Sequence, residues 1–406
     1  MKKLFRFLKV LLLTIFSLLI ILLALHEIEM HFAMKKNINV DKPVKYPIGN
    51  SDLSIYTNGK KFYRQLFTDI QNAKQAVHIY FFSVSNDAIS HQFLDILKEK
   101  SDEGIPVYYG VDRLGGLLLS NKEKKELKAH GVHFTYFNEP TLSYFFSSIN
   151  HRNHRRMTII DGEIGYIGGF NIGKKYISEN KKLKHWEDVQ LRLVGNGVKG
   201  LEDQFVTDWR RNSPQKISPM NITSTIGKSE HQFVSYTKLG IQEEYVKLFK
   251  NAKQSITIYS PYFIPNNKVI WDALLEASKR GVDIKILYSH KSDAILVEQA
   301  AIKYIRQAIK QGIQVYGYKP GIFHGKVMKI DNSLLMIGTT NFDSRSFHLT
   351  DEINCYIYDQ EFIKSVEPKL LNEFNQSFQI TEAYLNNRSW KDRMKERIAN
   401  IVEFYL

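Results

Sequence analysis

Histidine followed by a cation two residues later recurs in this chain, with the same residues at the same spacing downstream. His154-Arg155-Arg156 is followed by four residues and Asp161, six more and Gly168, then two more and Asn171. His324-Gly325-Lys326 leads in the same steps to Asp331, Gly338 and Asn341. Imidazole is the side chain best suited to nucleophilic and acid–base work near neutral pH. A cation beside it, Arg156 or Lys326, can hold an oxyanion. In Gly168-Gly169 and Gly338-Thr339, glycine lets backbone approach that anion, and the amides of Asn171 and Asn341 can donate to it. Two such copies facing each other suit in-line displacement at a phosphodiester. That reaction needs a nucleophile on one side of phosphorus, a proton donor on the other, and positive charge around the equatorial oxygens. The sequence offers no carboxylate cluster for a hard metal ion, and neither metal nor other cofactor is expected.

The elements that must position these residues are duplicated too. Each motif predicts a hairpin: Met157–Ile160, a turn at Asp161-Gly162-Glu163 and a return over 164–167; then Val327–Ile330, Asp331-Asn332-Ser333 and 334–337. Alternation along a strand puts His154 with Arg156, and His324 with Lys326, on one face. Asp161 and Asp331 stand equally as members of the catalytic set and as turn formers. Upstream, Asn72-Ala73-Lys74-Gln75-Ala76-Val77-His78-Ile79-Tyr80 returns as Asn251-Ala252-Lys253-Gln254-Ser255-Ile256-Thr257-Ile258-Tyr259. A helix ending at Gly104 or Gly281 and a further strand follow each copy. Strand, helix, strand predicts an α/β layer on a mostly parallel sheet in each half. Pro214, Pro219 and aperiodic Ser, Thr and Asn mark 213–231 as a linker between halves at 45–212 and 232–406.

A length of 406 residues exceeds one ordinary core. A hydrophobic fraction of 43% excludes a disordered or collagen-like chain. The formal charge of +14 points to an anionic partner, nucleic acid or anionic lipid. A single cysteine, Cys355, excludes an intrachain disulfide and a cysteine zinc site, and its apolar run reads as buried strand. Lys2, Lys3, Arg6 and Lys9 precede an uncharged run from Val10 to Leu25. With Leu4, Phe5, Phe7 and Leu8 the stretch reaches the ~20 residues that cross a bilayer. Ala24-Leu25-His26 is a poor cleavage site, so residues 1–34 read as a retained anchor of a cell-membrane protein. The basic flank favours a cytoplasmic N-terminus, with the remaining domain on the outer face. A tethered site meets lipid first, so no nucleic-acid partner is expected. Tyr144-Phe145-Phe146 reads either as a loop dipping into lipid or as core. Trp390, Met394, Ile398 and Ile401, amid Lys391, Arg393, Lys395 and Arg397, read as an amphipathic helix on a membrane or one docked on the domain.

These residues resemble the phospholipase D superfamily over nearly the whole chain after the anchor. Asn150-His151-Arg152-Asn153-His154-Arg155, the run 165–173, Trp186-Glu187-Asp188, Tyr318-Lys319-Pro320-Gly321 and the run 338–347 leading to Asp351-Glu352-Ile353-Asn354 are similar to the bacterial cardiolipin synthases. The resemblance implies an α/β fold of two phospholipase-D-like α-β-α halves packed as a pseudo-two-fold pair behind a transmembrane helix. It implies a covalent phosphohistidine on His154, with His324 as acid and then base, although the symmetry of the motifs leaves these roles exchangeable. Arg156, Lys326, Asn171 and Asn341 would hold phosphoryl oxygens, and Asp188 and Glu352 would orient the histidines. Donor and acceptor would both be phosphatidylglycerol, with other anionic phospholipids as possible partners. The same residues would serve a phospholipase D-type hydrolase, and a silent anionic-lipid scaffold is the non-enzymatic alternative. One departure stands out: Arg156 occupies the place of the family's lysine.

Overall fold

The computed structural model describes residues 2–37, 42–180 and 183–406; Met1 of the expected anchor lies outside them. Helix α1 (Lys2–Asn37) is 36 residues long, about 54 Å at 1.5 Å per residue. Its Phe5–Ala33 stretch is long and apolar enough to cross a membrane. Described side chains from Phe5 to Leu25 are exposed, whereas Met30 and Ala33 pack on the domain.

In the first half, β1 (Gly49–Tyr56), α2 (Gly59–Gln71), β2 (Val77–Phe81), α3 (Ala88–Asp102), β3 (Val107–Asp112) and β4 (His133–Phe137) precede the hairpin β5 (Met157–Ile160) and β6 (Ile164–Gly168). Strand β7 (Gln190–Val194) and α4 (Lys199–Asn212) complete it. The second half repeats the plan with β8 (Ser229–Thr237), α5 (Ile241–Asn251), β9 (Ser255–Ser260), α6 (Lys268–Lys279), β10 (Asp283–Ser289), α7 (Val297–Lys310) and β11 (Gln314–Tyr318). Its hairpin is β12 (Val327–Ile330) and β13 (Leu334–Gly338), followed by β14 (Thr350–Ile357), α8 (Gln360–Asn375) and α9 (Trp390–Val402). Helix starts follow the sequence: Asp87 accepts from Ser90 N at 3.2 Å to open α3, and Asn267 accepts from Ile270 N at 3.2 Å to open α6.

Strand order is β4-β3-β2-β5-β6-β7-β1 in one half and β11-β10-β9-β12-β13-β14-β8 in the other, one pattern twice. The sheets are mixed rather than mostly parallel. Within each half only β2-β3-β4 and β9-β10-β11, joined by helical crossovers, run parallel. The tight motif turns make β5–β6 and β12–β13 antiparallel, and the other pairings of each half are antiparallel as well. The segment after α4 carries neither helix nor strand up to Lys228. Strand β8 then begins inside the expected linker, because Ser229, Glu230 and His231 pair with Ser51, Asn50 and Gly49. The segment is strapped to the first half, with Thr223 N donating to Gly162 O at 3.0 Å and Met220 N to Glu202 Oε1 at 2.9 Å.

Three apolar cores result. One lies under α2 and α3, one under α5, α6 and α7, and the third between the two sheets. The shared core sets Ile167, Leu191 and Leu193 with Val327, Leu335, Ile337 and the buried Cys355. Burial of this apolar surface holds the halves face to face.

Candidate active site

Each motif histidine lies in an extended segment just before its hairpin, not within the strand itself. Two short parallel pairings across the halves hold those segments: Arg152–Asn153 against Thr350 and Asp351, and Gly321–Phe323 against His185–Glu187. Backbone then fixes each histidine to the opposite half, His154 N donating to Asp351 O at 2.9 Å and His324 N to Glu187 O at 2.7 Å.

The next residue of each anchoring strand supplies a carboxylate. His154 Nδ1 lies 2.8 Å from Glu352 Oε1, and His324 Nδ1 lies 2.7 Å from Asp188 Oδ2. Glu352 and Asp188 are equivalent by register, each two residues ahead of the partner of its motif glycine (Asn354 opposite Gly338, Gln190 opposite Gly168). The carboxylate of each half therefore orients the histidine of the other. A carboxylate at Nδ1 favours the tautomer whose unprotonated nitrogen is Nε2.

The cations sit where the sequence puts them. Arg156 donates from NH2 to His154 Nε2 at 2.6 Å, from NH1 to His154 O at 2.7 Å, and from Nε to Asn171 Oδ1 at 3.2 Å. Asn171 Oδ1 also accepts from Ser83 N at 2.9 Å, which spends the oxygen and leaves the amide N–H groups for an anion. Lys326 Nζ lies 2.8 Å from His324 Nδ1 and 3.0 Å from its Nε2, and also contacts His324 O. A cavity of about 230 Å³ opens on His154 and is lined in part by Phe82, Arg152, Tyr262, Asn341 and Arg345. Among the described residues, no group of three or more His, Cys, Asp or Glu converges as a metal site.

The remaining members act through others. Thr339 donates to Glu352 Oε2 at 2.6 Å, and Thr350 and Ser346 donate to its Oε1 at 2.8 and 3.0 Å. A Cβ on Gly169 would stand 2.0 Å from Asp188 Oδ1, so this glycine makes room for the carboxylate. Both residues thus serve the carboxylates. Asp161 and Asp331 require correction as catalytic groups, because they lie at the far end of their hairpins. Asp161 accepts backbone N–H groups of Lys74, Gln75 and Ala76 at 2.8, 2.7 and 3.1 Å. Asp331 accepts those of Lys253, Gln254 and Ser255. Each takes the left-handed conformation, φ +56° and +51°, that aspartate tolerates. They brace the loop ahead of β2 or β9. His151 bonds Asp351 at 2.9 Å, beside Arg155 and Arg211, and so steadies the strand carrying Glu352. Phe82, Tyr262 and Thr350 escaped the sequence reading, and Ser346 enters it only as part of the run 338–347, without a role. None belongs to the spacing pattern, and only the fold brings them in.

Electrostatics are set by burial. Burial, aided by Arg156, pushes His154 down to about 4. Burial and Lys326 hold His324 well below the imidazole range. Burial raises Asp188 to about 6, whereas His154 and the Thr339 hydroxyl outweigh burial and keep Glu352 below the usual carboxylate range. Burial also lowers Lys326 to about 7 despite Asp188. Each cation depresses the opposite half's histidine as well as its own, so the four groups form one electrostatic unit.

Each motif thus presents a histidine with its own cation and the other half's carboxylate. The family model described as "Cardiolipin synthase, PLD-like domain" matches residues 66–196 and 245–395. Minor cardiolipin synthase ClsB of Bacillus subtilis (strain 168) is 33% identical over 88% of this chain and 89% of its own length. A cardiolipin synthase of Staphylococcus aureus (strain Mu50 / ATCC 700699) is 33% identical over 87% and 73%. Phosphatidylserine synthase of Haemophilus influenzae Rd KW20 superposes with a TM-score of 0.71 over 92% of this chain and 99% of that one, at 14% identity, a likeness of fold alone. The chain belongs to the cardiolipin synthase family of phospholipase-D-like phosphatidyltransferases.

Two predictions follow from this geometry. Asp161→Asn keeps the left-handed turn but weakens three charge-assisted hydrogen bonds, so it should cost about 1–3 kcal/mol of stability and lower Tm, with little change in activity per folded molecule. A loss of activity at unchanged Tm would restore Asp161 to the catalytic set. For pH, a neutral His154 above about 4 and a charged Lys326 below about 7 bracket the active free enzyme. kcat/KM should therefore fall as pH rises through about 7, and Lys326→Arg should move that limb upward. An unmoved alkaline limb in Lys326→Arg would assign it to another group.

Proposed function

We propose that this chain joins two phosphatidylglycerol molecules into cardiolipin and glycerol through a phosphohistidine on His154. The observation that carries the assignment is the unequal pairing of the two histidines. His154 and the Thr339 hydroxyl outweigh burial and hold Glu352 below the usual carboxylate range, and Ser346 and Thr350 also donate to it. A charged carboxylate at Nδ1 favours the positive ring that forms when Nε2 bonds phosphorus. Nε2 is unprotonated in the resting site and accepts from Arg156.

On binding, the donor phosphodiester draws Arg156, Lys326 and the Asn171 amide onto its oxygens and frees Nε2. Nε2 then attacks phosphorus, and the bond to the glycerol oxygen breaks. A proton held between His324 and Lys326, whose Nζ lies 3.0 Å from Nε2, passes to the departing glycerol. The substrate's negative charge raises the proton affinity of both groups at that moment. In the second step His324 takes the proton from a primary hydroxyl of the second phosphatidylglycerol. Its oxygen attacks phosphorus, and the P–N bond breaks. Arg156 keeps the positive charge of the lysine it replaces and adds a forked grip on the phosphoryl group. The basic flank of α1 supports a cytoplasmic N-terminus in the cell membrane, with the site at the opposite face.

The test is incubation of purified protein with phosphatidylglycerol micelles, quenched in alkali. Equimolar cardiolipin and glycerol, and a phosphatidyl adduct on the peptide containing His154, are expected. His324→Ala should slow the reaction by about 10²–10⁴-fold. Phosphatidic acid as sole product would make water the acceptor, and an adduct confined to His324 would exchange the two roles.

A further inference from the structure

We infer that α9 is a second membrane contact, lying on an anionic bilayer surface beside the α1 anchor. The helix packs on α7, with Ala399 buried, Glu396 half-buried against Arg388, and Asp392 capping the helix at Ser389. At 100° per residue, Trp390, Met394, Ile398 and Ile401 fall within an arc of about 80° on nearly the opposite side. These four are 71, 49, 50 and 82% exposed, an apolar stripe whose Trp390 ring is approached at 5.9 Å by Lys391 of the same helix. On the same wheel Arg393 and Arg397 flank the stripe on one side, and Lys391 and Lys395 flank it on the other. An apolar arc between two basic borders is the pattern of a helix at the boundary of headgroups and acyl chains. A protein-facing stripe would not need both borders positive, whereas an anionic lipid surface is attracted to each.

Position supports the same occupant. Three residues past α9, the Tyr405 hydroxyl donates to Glu27 Oε1 at 2.8 Å, and its ring packs 4.9 Å from that of His26. His26 and Glu27 sit where α1 passes from exposed apolar helix to contact with the domain, so α9 ends at the level at which the anchor meets the bilayer. Two further apolar tips lie on that rim, the highly exposed Leu142 and Ile295. Leu142 precedes the short helix Phe145–Asn150, whose Ser147 N donates to Glu29 Oε1 at 2.8 Å. Ile295 lies next to Ala294, which lines the cavity on His154 together with Tyr405. The contact would seat the mouth of the site against the surface that holds its substrate.

Trp390 is a built-in probe, because Trp186, Trp209 and Trp271 are buried. The full chain is reconstituted into vesicles of phosphatidylglycerol with brominated acyl chains, and tryptophan fluorescence is compared with that in unbrominated vesicles. Brominated lipid should quench a component that Trp390→Phe removes and that aqueous acrylamide reaches poorly. Ile398→Glu with Ile401→Glu should return Trp390 to acrylamide. The anchor keeps every variant on the vesicle, and the readout needs no turnover, so it stands apart from the transfer reaction. Free access of acrylamide to Trp390 on vesicles, without quenching by bromine, would overturn the inference. Protection that follows protein concentration in detergent rather than lipid would overturn it too, assigning the stripe to a second copy of the chain.

Discussion

The exchange of carboxylates between the halves is the constraint on which the rest of the structure depends. An imidazole needs an acceptor at Nδ1 to present Nε2 in one tautomer, and here the acceptor always comes from the other half. Neither half can therefore hold a competent histidine alone. The shared core, the cross-half backbone pairings and the ion network around Asp351 all keep those two contacts at hydrogen-bond length. Duplication has been turned into mutual dependence.

That dependence explains how so much charge is buried. Arg156, Lys326, Asp188 and Glu352 are each almost wholly shielded from water. Isolated, any one of them would be strongly disfavoured there. Arranged as two cations and two carboxylates around two neutral histidines, they compensate one another at rest. An anionic substrate of the kind proposed would change the balance, since its negative charge would meet positive groups already desolvated and oriented. The halves remain unequal: Glu352 has three hydroxyl donors, whereas Asp188 faces Gly169 and is raised by burial. Symmetry of fold thus coexists with unequal proton affinity of the two carboxylates.

The motif and its partners were legible in the sequence to different degrees. Repetition at one spacing identified His154, Arg156, His324 and Lys326, because a hairpin translates spacing directly into position. Spacing also made Asp161 and Asp331 look chemical, and only the backbone amides around them reveal a bracing role. The mixed sheet departed from a parallel expectation because βαβ units are conspicuous in sequence, while the antiparallel strands that carry the site are short. The crossing of Asp188 and Glu352 between halves was out of reach. Sequence order assigns each carboxylate to its own motif, and the exchange exists only once two sheets pack face to face.

Histidine-selective ¹⁵N labelling tests the central claim most directly. Substituting Glu352→Gln should shift the Nδ1 resonance of His154 and leave that of His324 nearly in place, while Asp188→Asn should do the reverse. If Glu352→Gln instead perturbed His324, the carboxylates would serve their own halves, and the crossed centre described here would be wrong.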